Sequence, residues 1–128
     1  MKRQAISTSD APQAIGPYSQ AVRAGGFLFL SGQIPLDPAT GELVAGDVTA
    51  QTKQVMENLR AVLAGGGVGF GEVVRATIYL TNLGDFAKVN EVYGGYFSTN
   101  PPARATVQVA ALPRVASVEI DMIAHAGA

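Results

Sequence analysis

Cysteine is missing from this chain of 128 residues, and histidine occurs once. The first absence excludes disulfides, thiolate metal sites, thiol nucleophiles and iron–sulfur clusters. The second is nearly as restrictive, because His125 stands close to the C-terminus, where chains usually fray. Neither a catalytic histidine nor a zinc site is expected.

Charge is also scarce: 15% of residues are Asp, Glu, Lys or Arg, against about 25% in ordinary soluble domains. With 48% hydrophobic residues, a small monomer has few charges with which to cover itself, so part of its surface is expected to be buried against other subunits. Nine basic and ten acidic residues leave a net charge of −1, and the basic ones (Lys2, Arg3, Arg23, Lys53, Arg60, Arg75, Lys88, Arg104, Arg114) are scattered. A nucleic-acid partner requires a basic stripe that tracks phosphates, so none is expected. No stretch approaches the roughly 20 apolar residues of a membrane-spanning helix, and no apolar run follows Lys2 and Arg3 as in a signal peptide. The expectation is a single domain over residues 1–128, cytoplasmic and without a membrane partner.

Strands are predicted over 4–7, 20–24 and 27–32, the last two joined by Gly25 and Gly26 as a two-residue hairpin turn. Residues 35–41 are dense in turn formers and read as an exposed loop. Asp47 can cap a helix whose apolar residues Val48, Val55, Met56, Leu59, Val62 and Leu63 recur at helical spacing until Gly65, Gly66 and Gly67 stop it. Residues 72–81 alternate as a strand, with Val74, Ala76, Ile78 and Leu80 on one side. A second helix is predicted over 85–97, ended by Pro101 and Pro102.

Two further strands, 103–109 and 117–124, carry polar residues on one face each: Arg104, Thr106 and Gln108 on the first, Glu119 and Asp121 on the second. If they pair antiparallel, Thr106 falls opposite Glu119 and Arg104 lies diagonally across from it. The element order predicts an α+β fold, a mixed sheet with both helices on one face and the Arg and Glu on the other.

The glycines at 65, 66, 67, 69 and 71 miss the G-x-G-x-x-G spacing and follow a helix, so they read as a helix stop and not as a dinucleotide loop. Residues 29–33 (FLSGQ) likewise fail the nucleophile-elbow pattern. Arg104, held by a stiff Pro101-Pro102 entry, could clamp a carboxylate through two parallel hydrogen bonds, or it could form an ion pair with Glu119 or Asp121. Glu119, among apolar neighbours, could orient and deprotonate a water, or it could be the other half of that ion pair. Tyr18, after Gly16 and Pro17, could offer a hydroxyl to a ligand or serve as packing.

Three segments resemble the RidA family of reactive intermediate/imine deaminases: 14–21 (AIGPYSQA), 29–35 (FLSGQIP), and 102–107 (PARATV) through Leu112 and Pro113 to 118–120 (VEI). The helices containing 51–59 (QTKQVMENL) and 85–93 (DFAKVNEVY) are similar too, so the resemblance spans nearly the whole chain in order. It implies a chorismate-mutase-like homotrimeric barrel, with helices outside and sites in the clefts between subunits. It implies hydrolysis of 2-imino acids or their enamine tautomers, such as 2-aminoacrylate and 2-iminobutanoate, to 2-keto acids and ammonia. By the same resemblance Arg104 takes the substrate carboxylate, aided by Ser31, Gly32 and the Thr106 backbone. Glu119 holds the attacking water and moves a proton, while Tyr18 and Asn90 line the pocket, and no metal or organic cofactor is called for. Many members have Cys where this chain has Thr106, so a thiol is not required for deamination and no thiol-based role is available. Competing readings are a non-catalytic 2-keto-acid-binding module, the endoribonuclease or translation-inhibitor activity attributed to some relatives, and a chaperone-like role.

Overall fold

A computed structural model describes residues 2–127. Gly25 and Gly26 take the left-handed φ values of 59° and 81° that a tight primed turn demands. They join strand β2 (Ala21–Ala24) to β3 (Phe27–Gln33) with Ala24 opposite Phe27, and β1 (Gln4–Ile6) extends the pair from the other side of β2. Helix α1 (Val48–Gly65) starts where the Asp47 carboxylate accepts from the Ala50 amide at 3.1 Å. It buries all six apolar residues named from its spacing. At its end Gly66 lies so close to β3 that a Cβ would sit 2.5 Å from a Leu28 methyl.

Strand β4 (Val73–Leu80), helix α2 (Phe86–Gly94), strand β5 (Ala103–Gln108) and strand β6 (Val118–His125) complete the element order. α2 stops three residues short of the predicted end, because Gly94 and Gly95 form its terminus and consecutive glycines are poor helix formers. Within β4, a register irregularity between Val73 and Arg75 turns Val73 inward and leaves Val74 43% exposed, the reverse of plain alternation.

The sheet runs in the order β1-β2-β3-β6-β4-β5. This overturns the predicted pairing of β5 with β6. β5 lies parallel to β4 at the sheet edge, while β6 inserts between β3 and β4, antiparallel to both. The cause is the connection: a helix between two strands returns the chain in the same direction, so β4-α2-β5 forms a parallel crossover. Thr106 stands opposite Ile78, and Glu119 stands opposite Tyr79.

Side chains paired across neighbouring strands share a face, so this topology also settles the faces. Arg104 and Thr106 lie with the buried Ala76 and Ile78, on the side covered by the helices. Glu119 and Asp121 lie with Tyr79 and Thr77, on the uncovered side. The single polar face predicted for Arg and Glu does not form; the sheet separates them. On the helix side, Leu28, Leu30, Ile78, Leu80, Val118, Ile120 and Met122 pack with Val55, Met56, Leu59, Leu63, Val89 and Tyr93 in one apolar cluster. On the other side Phe27 and Phe29 remain 39% and 45% exposed.

Candidate functional site

The carboxyl half begins with the irregularity of β3 between Leu30 and Gln33, where the ladder to β6 shifts register. Gly32 sits in it, and a Cβ there would lie 2.1 Å from Oε2 of Glu119. Glycine is therefore what lets the Glu119 carboxyl fold across β3. Glu119 is half-buried, and burial, followed by the nearby Asp121 charge, raises its pKa above the ordinary carboxylate value.

Ser31 ties the strand to the preceding loop: its amide donates to the Gln20 carbonyl at 3.0 Å and its Oγ donates to the Ser19 carbonyl at 2.6 Å. Tyr18 in that loop is 52% exposed, and its hydroxyl accepts from the Ile15 amide at 3.4 Å. Tyr18, Gly32, Gln33, Ile34 and Arg114 share a cavity of about 250 Å³.

Gln20 is a residue the sequence reading passed over. Buried to 4% exposure, it accepts from the Thr8 amide at 2.7 Å and donates to the Pro12 carbonyl at 2.8 Å, so it fastens the N-terminal segment beside the Tyr18 loop. A glutamine entering an apolar strand was the available signal. The far wall is the turn Pro113–Val115, where Arg114 and Val115 have φ of 60° and 59°. Left-handed geometry is costly for a β-branched valine.

The guanidinium half stands across the sheet. Arg104 Nη1 donates to Asn90 Oδ1 at 2.7 Å, and the guanidinium carbon lies 5.5 Å from the Phe86 ring centre and 5.2 Å from that of Tyr93. Phe86, Asn90 and Tyr93 recur at helical spacing on α2, so one face of a short helix orients the cation. Among the described residues no carboxylate lies within ion-pair distance of Arg104. The alternative of an ion pair with Glu119 or Asp121 of the same chain therefore falls. Asn90, Tyr93, Phe97, Pro102 and Arg104 line a recess of about 430 Å³.

Beside it, the hydroxyls of Thr106 and Tyr93 are buried with no protein partner among the described residues, and burial raises the Tyr93 pKa while the Arg104 charge opposes the rise. The segment leading to Arg104 is anchored from behind. The Tyr96 hydroxyl donates to Glu57 at 2.7 Å, and Arg60 lies over both Tyr96 and Phe70. Burial and that carboxylate push the Tyr96 phenol up to about 12.

The candidates thus divide into two groups. Tyr18 and Gly32 line one cavity, with the Glu119 carboxyl against Gly32 and Ser31 tied to the Tyr18 loop, while Arg104, bonded to Asn90, shares the helix-covered face of β5 with Thr106. Among the described residues no three His, Cys, Asp or Glu side chains approach closely enough to hold a metal ion, and no helix is long and apolar enough to cross a membrane.

A six-stranded mixed sheet with two helices on one face, carrying a glycine-cradled carboxyl and an aromatic-backed guanidinium on opposite sides, defines an α+β fold of the L-PSP class. The profile of the family described as Endoribonuclease L-PSP matches residues 8–126. The chain is 68% identical over 126 residues to Protein DfrA of Myxococcus xanthus, covering 97% of this chain and 96% of DfrA. It is 50% identical over 125 residues to the 2-iminobutanoate/2-iminopropanoate deaminase of Mus musculus, covering 98% and 93% of the two chains. Among solved structures, a protein of unknown function of the conserved Rid family, YyfA of Yersinia pestis, superposes with a TM-score of 0.95 at 48% identity, over 97% of this chain and 99% of that one. The chain belongs to the Rid family.

Proposed function

We propose that this protein is a hydrolytic deaminase of 2-imino acids and their enamine tautomers, working as a homotrimer with each site shared between neighbouring subunits. The observation that carries the reading is the unpaired, pre-oriented Arg104 on the opposite side of the sheet from Glu119. A site that needs both groups cannot be assembled within one chain, and a second copy can supply the missing half. The low charge content and the exposed Phe27 and Phe29 on the uncovered sheet face support such an assembly. Imine deaminases among the relatives, at about half identity, support the reaction class.

In this reading the planar fork of Arg104 takes the 2-carboxylate and fixes the C=N carbon at the site. Glu119, whose carboxyl burial holds above the ordinary carboxylate range, accepts a proton as water bonds to that carbon and the C=N electron pair moves to nitrogen. It returns the proton to nitrogen. The C–N bond of the carbinolamine then breaks as the hydroxyl proton passes to the departing nitrogen and the carbonyl forms, giving 2-keto acid and ammonia. Tyr18, Ser31 and Gly32 shape the Glu119 side of the cleft, and Asn90 and Thr106 the Arg104 side. Endoribonuclease chemistry, suggested by the family description, fits poorly with a net charge of −1 and scattered basic residues.

The test generates imines from several amino acids with an amino-acid oxidase and traps them with semicarbazide. Wild-type protein should suppress semicarbazone formation, and Arg104→Ala should not. An assembled wild-type protein that fails to suppress it would instead favour a 2-keto-acid-binding module on the same fold.

A further inference from the structure

Two neighbours of Glu119 have no part in the chemistry above. Tyr79 is its direct cross-strand partner on β4, and the Tyr79 ring runs diagonally so that its hydroxyl donates to Oδ2 of Asp121 at 2.9 Å. Asp121 is two residues along β6 from Glu119, on the same face and half-buried, so two carboxyl groups stand next to each other on a partly dry surface. We infer that Asp121, held in place by the Tyr79 hydroxyl, is a positioning residue that sets the pH range over which Glu119 exchanges its proton. The inference rests on Glu119 being the proton-transfer group proposed above.

The surroundings determine the sign. On β4 the groups facing this region are Tyr79, Thr77 and, opposite Ile123, Arg75. On β3 they are Ser31 and Gly32, neither of which titrates, and on β6 itself His125 is four residues beyond Asp121. β5 presents Ala105 and Val107 on this side, and the helices cover the other. The neighbouring subunit's Arg104 would enter from outside in the proposed trimer. Among the described residues Asp121 has no ion pair, so its strong partner is a neutral phenol. A phenol orients the carboxylate without cancelling its charge, and the charge of Asp121 reaches Glu119. The bond to Asp121 is also the largest cause raising the Tyr79 pKa, which keeps that donor protonated while Glu119 titrates.

The experiment compares wild type with Asp121→Asn, Asp121→Thr and Tyr79→Phe in the assembled protein. It follows the Glu119 carboxyl by ¹³C NMR titration, assigned through Glu119→Gln, alongside the pH profile of kcat/KM for imine hydrolysis. Asp121→Asn keeps an acceptor for Tyr79 but removes the charge. The Glu119 midpoint and the acid limb of kcat/KM should both move to lower pH by the same amount. Asp121→Thr, compatible with a strand, should do likewise, whereas Tyr79→Phe retains the charge and should not move either one down. An unmoved midpoint in both Asp121 variants, or a uniform loss of turnover with a stationary limb, would overturn the inference. A midpoint that moves in a protein without imine hydrolysis would uphold the influence of Asp121 and count against the deaminase reading instead.

Discussion

The two halves of the candidate site are built by different means. Around Glu119 the backbone does most of the work: a glycine in a strand irregularity makes room for the carboxyl, and the Ser31 and Gln20 side chains fasten the adjoining loops by bonding to main-chain groups. Around Arg104 the work is done by side chains of one short helix, with Asn90 as acceptor and Phe86 and Tyr93 as a π surface. The roles proposed for the two groups account for the contrast. A carboxyl acting as a base benefits from a confined, partly dry position, whereas a guanidinium clamp must stay open to an anion and needs only its orientation fixed.

The largest test of this division mixes subunits. Arg104→Ala and Glu119→Gln should each be nearly inert alone, yet if the proposed trimer forms, assemblies made from an equal mixture should recover roughly a quarter of wild-type activity, because some clefts then receive both intact halves. If one subunit supplied both residues, mixtures would stay as inactive as the parents. Next in size is Gly32→Ala. Its methyl would occupy the place of the Glu119 carboxyl, so turnover should fall about 10²-fold, with substrate KM little changed because the Arg104 half is untouched. A rise in KM with normal kcat would show that Gly32 serves binding and not the placement of Glu119. Smaller effects belong to the side-chain half. Asn90→Ala and Phe86→Leu should each raise KM by about fivefold, as expected for about 1 kcal/mol of lost orientation, while kcat stays close to wild type.

Much of this architecture is legible in the sequence, and its limit is physical. The helices, the hairpin at Gly25 and Gly26, and all six strands follow from periodicity and turn chemistry to within a few residues. Alternation along β5 and β6 correctly groups Arg104 with Thr106 and Glu119 with Asp121. What alternation cannot state is which strand lies beside which. An antiparallel β5–β6 pair and the observed β6-β4-β5 order satisfy the same pattern, and they differ in whether Arg104 and Glu119 share a face. The helix between β4 and β5 was the readable clue, since it calls for a parallel crossover. The unpartnered Thr106 hydroxyl and the Tyr79–Asp121 bond had no comparable signal, because both depend on that topology.

The smallest predicted effect separates the approaches to the two halves. The chain reaches Arg104 through Asn100, with φ of 49°, and closes the Glu119 side through Arg114 and Val115, with φ of 60° and 59°. Asparagine tolerates this region; a β-branched residue does not, and the left-handed cost is roughly 1–2 kcal/mol per residue. Val115→Gly should therefore raise Tm by about 3–5 °C, the size expected for a gain near 1 kcal/mol in a domain of this length, with kcat/KM falling by a small factor as the wall beside Tyr18 loosens. The 89% exposure of Val115 means that little packing within the chain would be lost. A lower Tm would instead show that the valine is held by a neighbouring subunit, and the strain in this turn would then belong to assembly and not to the cleft.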